Sequence, residues 1–209
     1  MGKLETGILG KSTGKVGPVI TANWRSLNIV KAYFKPSNPR TPDQQAQRNK
    51  FTVAVDLTRS VLTTIVKPIW DKLSDKMSGY NLFIQSLLST MDADKHPVPS
   101  TLVSKGTLLS SSIISATYDG TEVQVNFVNN SGVGNAQSTD SVSLLIYDKA
   151  SRSFIRFFSN TSQRSAGQIS GNIGSGYSFN NLIAYIFFRQ IQESGPIYSD
   201  SVGVNTSHS

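Results

Sequence analysis

Residue types that commonly carry catalysis are scarce or missing in this chain of 209 residues. It contains no cysteine and only two histidines, His96 and His208. The lack of thiols excludes a disulfide scaffold, a thiolate metal site and a cysteine nucleophile. Two histidines so far apart in the chain also disfavour a histidine-rich metal site or a histidine-based triad. We therefore expect a protein that is not an enzyme and that uses no metal ion and no cofactor.

Long apolar runs are also missing. No run reaches the roughly 18 residues of a transmembrane helix, and the first residues lack the apolar core of a secretory signal peptide. Charged residues make up 16% of the chain and apolar residues 38%. That apolar share is low but still sufficient for a buried core. We expect a folded protein without a membrane partner, a signal peptide or a transmembrane segment.

The positive charge is concentrated in the first 50 residues. Nine basic and two acidic residues lie there, which accounts for the net charge of +7 of the whole chain. Basic and acidic residues balance in 51–99 and again in 100–209. A basic segment of this kind suits an anionic partner, either nucleic acid or an acidic protein surface. The alternative is a basic tail that only aids solubility.

Residues 1–40 are predicted to form a basic, glycine-rich arm that contains a β-hairpin. The runs 16–24 and 28–34 are rich in Val, Ile, Tyr and Phe and are separated by a short gap, as in two hairpin strands. An isolated hairpin is only marginally stable in water. The arm therefore needs a partner, which can be the rest of the chain, a neighbouring subunit or a ligand.

Aromatic and basic side chains alternate closely in this arm. The candidate partner-binding residues are Lys11, Lys15, Trp24, Arg25, Lys31, Tyr33, Lys35 and Arg40. Such a mixture suits single-stranded nucleic acid, because bases stack on aromatic rings and phosphates pair with cations. Strand alternation gives a second interpretation, in which the apolar face of the hairpin is buried and its cations point to water.

A small helical module is predicted over residues 41–91. Thr41 is a suitable N-cap, Pro42 suits the first helical position and Gln44 completes a capping box. Pro68 is expected to begin a second helix, and residues 80–88 a third. The residues predicted to pack these helices are Phe51, Trp70, Tyr80 and Phe83. The module has too few apolar residues for a core of its own, so we expect it to pack on another part of the protein.

Residues 92–100, with Pro97 and Pro99, are predicted to be a linker, and residues 101–209 a β-sandwich domain. Short β-type runs occur at 102–109, 113–118, 122–128, 142–147, 154–159, 182–188 and 197–204. The fold class is therefore predicted as α+β, with a C-terminal antiparallel β-sandwich that resembles immunoglobulin or fibronectin type III domains. The cysteine pair and core tryptophan of true immunoglobulin domains are absent.

Several segments resemble an uncharacterised domain-of-unknown-function family that is common in Bacteroidota genomes and their phages. The resemblance lies in 14–24, in the Asn-Pro-Arg-Thr-Pro helix start at 38–42 with the residues up to 51, and in Trp70. It continues in the Ser-Gly-Tyr-Asn-Leu-Phe-Ile segment at 78–84 and in the ending at 199–202. This order of motifs resembles phage structural genes. The family has no established activity, so the resemblance by itself says little about function.

Four observations lead to one functional expectation: the net charge lies in one arm, the helical module lacks a core of its own, the predicted sandwich is rich in Ser and Asn, and no catalytic group of residues is present. We expect a phage virion structural protein, associated with capsid or tail, that acts as an adaptor, decoration or fibre-type component. It docks through its basic N-terminal region and projects the sandwich outward, with other virion proteins or further copies as partners in a symmetric assembly. Its expected location is the virion, with the cytoplasm as the alternative. The alternative functions are a nucleic-acid-binding protein that uses residues 1–50 and a surface adhesion or carbohydrate-binding module.

Overall fold

The structure is a computed structural model that describes residues 2–4, 13–24, 27–35, 40–73 and 77–208. For residues 2–4, 23, 24 and 27 it describes only the backbone. The chain divides into two compact units, Met1–Gln44 and Gln45–Ser209. The first unit contains a β-sheet and the start of the first helix, and the second contains the rest of that helix, the other helices and the C-terminal strands. The α+β class predicted from the sequence is confirmed.

The first unit contains a four-stranded antiparallel sheet. Its strands are β1 (Gly2–Leu4), β2 (Gly14–Val16), β3 (Val19–Trp24) and β4 (Leu27–Ala32), in the order β1-β4-β3-β2. Strands β3 and β4 form the predicted hairpin. The hairpin is not isolated, because β1 pairs with β4 and β2 pairs with β3. The additional strands provide the support that a two-stranded hairpin lacks.

The first helix, α1 (Pro42–Ser60), begins where its capping residues predicted. The Gln44 N–H donates to Thr41 Oγ1 at 3.4 Å, and Pro42 occupies the first helical position. The last helix, α2 (Gly79–Thr90), is capped in the same way by Ser78, whose Oγ accepts from the Asn81 N–H at 3.3 Å. Both starts follow from local sequence, since a short polar side chain accepts a free N–H of the first turn.

A π-helix (Leu62–Trp70) lies between α1 and α2 and corrects one prediction. Pro68 does not begin a new helix but lies inside this one. The Ile65 and Val66 N–H groups both donate to Val61 O, at 2.9 and 3.1 Å, where the helix widens. A proline removes one N–H donor from a helix but does not prevent the turn from continuing when the surroundings hold it. A 3₁₀ turn (Asp71–Leu73) follows Trp70 directly.

The C-terminal strands form two sheets. The strands are β5 (Ile113–Tyr118), β6 (Glu122–Phe127), β7 (Ser141–Asp148), β8 (Ser153–Gln163), β9 (Gln168–Asn172), β10 (Leu182–Gln192), β11 (Gly195–Tyr198), β12 (Val202–Asn205) and β13 (Ser207–His208). One sheet has the order β13-β5-β6-β9, and the other β11-β10-β7-β8, with β12 also paired to β10. Apart from β13, which runs parallel to β5, the pairings are antiparallel.

Strands β7 and β10 are buried on both faces. One face packs against the opposite sheet, where the rings of Phe127 and Phe188 meet edge to face at 5.4 Å between centroids. The other face packs against the helices, so that Tyr147 and Tyr185 join a core with Phe83. The helices thus use one sheet face as their core, as their own low apolar content predicted.

Two C-terminal elements differ from the sequence-based expectation. The run 102–109 is not a strand, and its backbone is held by side chains instead: the Val103 N–H donates to Ser201 Oγ at 2.9 Å. Strand β9 was not predicted, because it contains a single large apolar residue, Ile169. A Cβ at Gly171 would come within 2.4 Å of the Phe158 ring, so a larger residue there would need that ring to move. The immunoglobulin-like assignment of the sandwich stays a prediction.

The segment 92–100, predicted as a linker, makes specific contacts with the sheet. The Tyr185 hydroxyl donates to Val98 O at 2.9 Å, and His96 Nδ1 lies 2.8 Å from the Tyr147 hydroxyl. Asp92 Oδ1 accepts from the His96 N–H at 2.7 Å, which closes the turn before it. These bonds hold the segment against the same sheet face that the helices cover.

Candidate partner-binding surface

Two lysines and a tyrosine of the predicted arm lie on one face of the N-terminal sheet. In the strand register, Lys15 is opposite Ile20, and Ile20 is opposite Lys31. Residues opposite each other across strands share a face, as do residues two apart along a strand. Tyr33 follows Lys31 by two residues, and Lys15 Nζ lies 3.7 Å from the centroid of its ring. We call Lys15, Ile20, Lys31 and Tyr33 the Lys15 face.

This arrangement bears on the two interpretations of the arm. An amphipathic hairpin with a buried apolar face requires cations and aromatic rings on opposite sides. Instead, Lys15 contacts Tyr33 directly, and Ile20 between the lysines is half-buried. Lys15 and Lys31 are exposed, and Tyr33 exposes 44% of its surface. The Lys15 face therefore presents two cations together with an aromatic ring to solvent.

The other face of the sheet is partly covered. Thr21 is 7% exposed, and its hydroxyl donates to Gly14 O at 3.2 Å. The side-chain oxygen of Asn28 is buried and has no hydrogen-bond partner among the described residues. Two large apolar side chains of the unit nevertheless reach solvent, since Val16 is 66% exposed and Phe34 is 75% exposed. The sequence analysis did not select these two residues, because only the structure shows their exposure.

The structure describes only some of the remaining arm residues that the sequence analysis selected. Lys35 and Arg40 are exposed to solvent. Lys11 and Arg25 lie outside the described residues, and Trp24 is described by its backbone, which pairs with Leu27. The structure thus brings together Lys15, Lys31 and Tyr33 out of the predicted set.

The four residues predicted to pack the helices have different environments. Trp70 and Phe83 are buried and meet edge to face with ring centroids 5.3 Å apart. The Trp70 indole N–H donates to Val103 O at 3.1 Å. Tyr80 is half-buried against the same core. Phe51 differs, because it lies one turn before Ala54, the first buried residue of α1, and it exposes 49% of its surface.

Other chemistry is limited in the described part of the chain. No group of three or more acidic or histidine side chains there could hold a metal ion. No helix in the same part is long and apolar enough to cross a membrane. The contact of His96 with Tyr147 involves a buried hydroxyl, and burial raises the pKa of Tyr147 well above its usual value.

Comparison with known proteins gives a family but no activity. A family model described as a family of unknown function (DUF6266) matches residues 10–203. The chain belongs to this family. No curated protein and no solved structure matches the chain. The match spans parts of both units. The function therefore has to be argued from the surface itself.

Proposed function

We propose that this protein is a structural component of a larger assembly of the phage virion type, and that its Lys15 face docks onto an acidic surface of a partner protein. The observation that carries the proposal is the meeting of Lys15 and Tyr33 at 3.7 Å on an exposed sheet face. Docking of this kind leaves the C-terminal unit attached to the assembly as an adaptor, decoration or fibre-type part, in the virion.

The charge distribution supports an acidic partner. The first 50 residues carry the whole net charge of +7, whereas the rest of the chain is balanced. Opposite charge on the partner speeds encounter and excludes like-charged surfaces. Repeated docking of a small chain around a symmetric assembly would give many copies of the C-terminal unit.

The exposed apolar side chains favour a protein as the partner. Val16 and Phe34 expose 66% and 75% of their surfaces in this unit. Val16 directly follows Lys15 in β2, so it lies on the face of the sheet opposite Lys15. Large exposed apolar groups next to polar ones are typical of protein interaction sites. Interface cores are also enriched in aromatic residues such as Tyr33 and Phe34.

Nucleic acid is the second candidate, because of the contact between Lys15 and Tyr33. A cation beside an exposed ring can pair with a phosphate while the ring stacks on a base. This candidate predicts binding that weakens steeply with salt, with a log–log slope of several units for the ~6–9 cations available. Tight binding to single-stranded DNA with that slope would replace the acidic protein as the partner.

Particle composition tests the leading proposal. Particles from the source culture are purified on a density gradient, and the chain is quantified against the capsid proteins by mass spectrometry. A stoichiometric amount supports the structural role. Recovery of the chain only as free protein would reject it and would make the salt titration decisive.

Variants test the docking surface. Deletion of residues 1–40 should abolish incorporation while the unit Gln45–Ser209 still folds. The double variant Lys15→Glu/Lys31→Glu should strongly reduce incorporation, because it reverses the charge of the Lys15 face. The matched control Lys67→Glu/Arg156→Glu changes two exposed cations elsewhere and should incorporate normally. Normal copy number in the deletion variant would contradict docking through this unit.

A further inference from the structure

A groove lies in the second unit, between α2 and the loop that follows it. Its larger part, of about 340 Å³, is walled by Trp70, Leu82 and Leu102. Its smaller part, of about 150 Å³, has a mostly apolar wall that includes Ile197. Lys105 lines both parts, which are therefore neighbours, and we call the two together the Lys105 groove.

The groove is held in place by hydrogen bonds on both sides of the loop. The Trp70 indole N–H donates to Val103 O at 3.1 Å, and the Ser86 hydroxyl donates to Leu102 O at 3.2 Å. Trp70 is also the last residue of the π-helix, a rare helix type that occurs often at functional sites. The walls are thus formed before any ligand arrives, which lowers the entropy cost of binding.

Most polar groups of the groove are already paired. The Ser89 hydroxyl donates to Ser86 O at 2.8 Å, and Lys72 Nζ lies 3.5 Å from Pro196 O. The Lys105 ammonium and the Gln85 amide have no hydrogen-bond partner among the described residues. These two groups are therefore the ones available to a ligand in the larger part.

The charge of the described lining is positive. It contains Lys72 and Lys105 and no carboxylate. Two acids lie close to this lining, and each accepts from a backbone N–H at 3.0 Å: Asp71 from Gly79, and Asp200 from Gly106. The groove thus combines apolar walls with an ammonium group available for an anion.

We propose that the Lys105 groove binds an apolar carboxylate, that is, a small molecule with one carboxylate group on an aliphatic or aromatic body. The carboxylate pairs with Lys105 and accepts from the Gln85 amide, and the body lies against Trp70 and Leu82. The larger part alone is at the lower end of the ~300–1,000 Å³ of small-molecule sites, which suits a short body. This site is separate from the Lys15 face and does not depend on its proposed role.

The test uses decanoate as the probe and the indole N–H of Trp70 as the reporter. The chain has two tryptophans, so a ¹H–¹⁵N spectrum of the full chain contains two indole signals, which the variant Trp24→Phe assigns. Decanoate is titrated below its micelle-forming concentration. The Trp70 signal should shift and saturate. Decylamine, which has the same chain length and the opposite charge, should leave it unchanged.

Lysine variants separate the site from non-specific adsorption. Lys105→Gln removes the ammonium but keeps a side chain of similar length, and it should weaken decanoate binding about tenfold, as the loss of a charge-assisted hydrogen bond does. Lys149→Gln, in the turn after β7, is the matched control and should bind as the unmodified chain does. An unshifted Trp70 signal, an equal response to decylamine, or unchanged affinity in Lys105→Gln would overturn the proposal.

Discussion

Arg164 and Asp140 form an ion pair, with Nε 3.0 Å from Oδ2, in which neither side chain is exposed to solvent. The pair lies in a network, because Gln190 Nε2 donates to Asp140 Oδ1 at 2.9 Å and Arg164 Nη2 donates to Leu109 O at 2.7 Å. Burial lowers the pKa of the Arg164 guanidinium, and the Asp140 carboxylate opposes that shift. The pair joins the loop before β7 to the end of β8.

Removing the charge of Asp140 should strongly destabilise the fold. In Asp140→Asn, Arg164 remains buried without its carboxylate, and we expect the free energy of unfolding to fall by about 3–5 kcal/mol. Urea unfolding followed by circular dichroism measures this loss. The control Asp56→Asn breaks the ion pair between Asp56 and Arg59, in which Oδ1 and Nη1 are 3.7 Å apart and the side chains are 65% and 70% exposed. This change should lower the free energy of unfolding by less than about 1 kcal/mol. Equal losses in the two variants would contradict a structural role for the buried pair.

Gly79 should not tolerate a side chain. A Cβ at this position would lie 2.4 Å from the Asp71 backbone nitrogen and 2.5 Å from the Trp70 carbonyl carbon, and neither atom can rotate away. We expect Gly79→Ala to lower the free energy of unfolding by about 1–3 kcal/mol or more. Thermal unfolding measures the change. Ser89→Ala, at an exposed position of α2, should stay within about 0.5 kcal/mol, and a comparable shift in both variants would count against the close approach.

The helices and the sandwich should unfold together, because they share one core. Phe83→Ala empties a fully buried site beside Trp70 and should cost about 3–5 kcal/mol. In the Trp24→Phe background, Trp70 fluorescence and far-UV circular dichroism should give the same midpoint, with and without Phe83→Ala. Phe51→Ala, at a position 49% exposed, should change the midpoint little. Separate transitions for the two signals would contradict a shared core.

The turn between β5 and β6 should respond to acid. Asp119 Oδ1 accepts from the Glu122 and Thr121 N–H groups at 2.7 and 2.8 Å, and from the Thr121 hydroxyl at 3.0 Å. These bonds hold the pKa of Asp119 below its usual 3.8. A carboxylate with a lowered pKa stabilises the folded state above the unfolded-state pKa of about 3.9. Its contribution is lost as the pH falls through the lower, folded-state value.

A ¹³C carboxyl titration by nuclear magnetic resonance measures this pKa directly. The midpoint of Asp119 should lie below 3.8 in the unmodified chain. Thr121→Val removes the hydroxyl donor and keeps the backbone donors, so its midpoint should rise part of the way towards the usual value. A midpoint at or above 3.8 in the unmodified chain would show that the turn does not hold the carboxylate in this way.

Local sequence pattern predicts an element well when the residues that signal it lie within a few positions of one another. The run 113–118 is strand β5 (Ile113–Tyr118), and the run 182–188 lies within β10 (Leu182–Gln192). The start of α1 follows from Thr41 and Pro42 in the same way. These signals are the alternation of apolar and polar residues, a continuous apolar run and a capping residue. Each acts through neighbours in the chain, so it can be recognised in the sequence before any tertiary contact is known.

The elements that were missed depend on distant partners. Strand β9 (Gln168–Asn172) has little apolar content, but β6 pairs along its whole length. The run 102–109 has the apolar content of a strand, but it bonds mainly through side chains: the Val103 N–H donates to Ser201 Oγ, and the Ser104 hydroxyl donates to Ser199 O. Pro68 predicts a helix boundary, yet the packed surroundings keep it inside a π-helix. In each case tertiary context overrode the local preference.

Composition and the local order of residues were sufficient to predict the α+β class and to exclude cysteine chemistry. They also showed that the positive charge is concentrated in residues 1–50. These properties depend on each residue and its neighbours in the chain. Strand register and packing decided that Lys15 lies over Tyr33 and that Lys105 meets Trp70 in one groove. The residues of each pair are far apart in sequence, so only the folded chain brings them together.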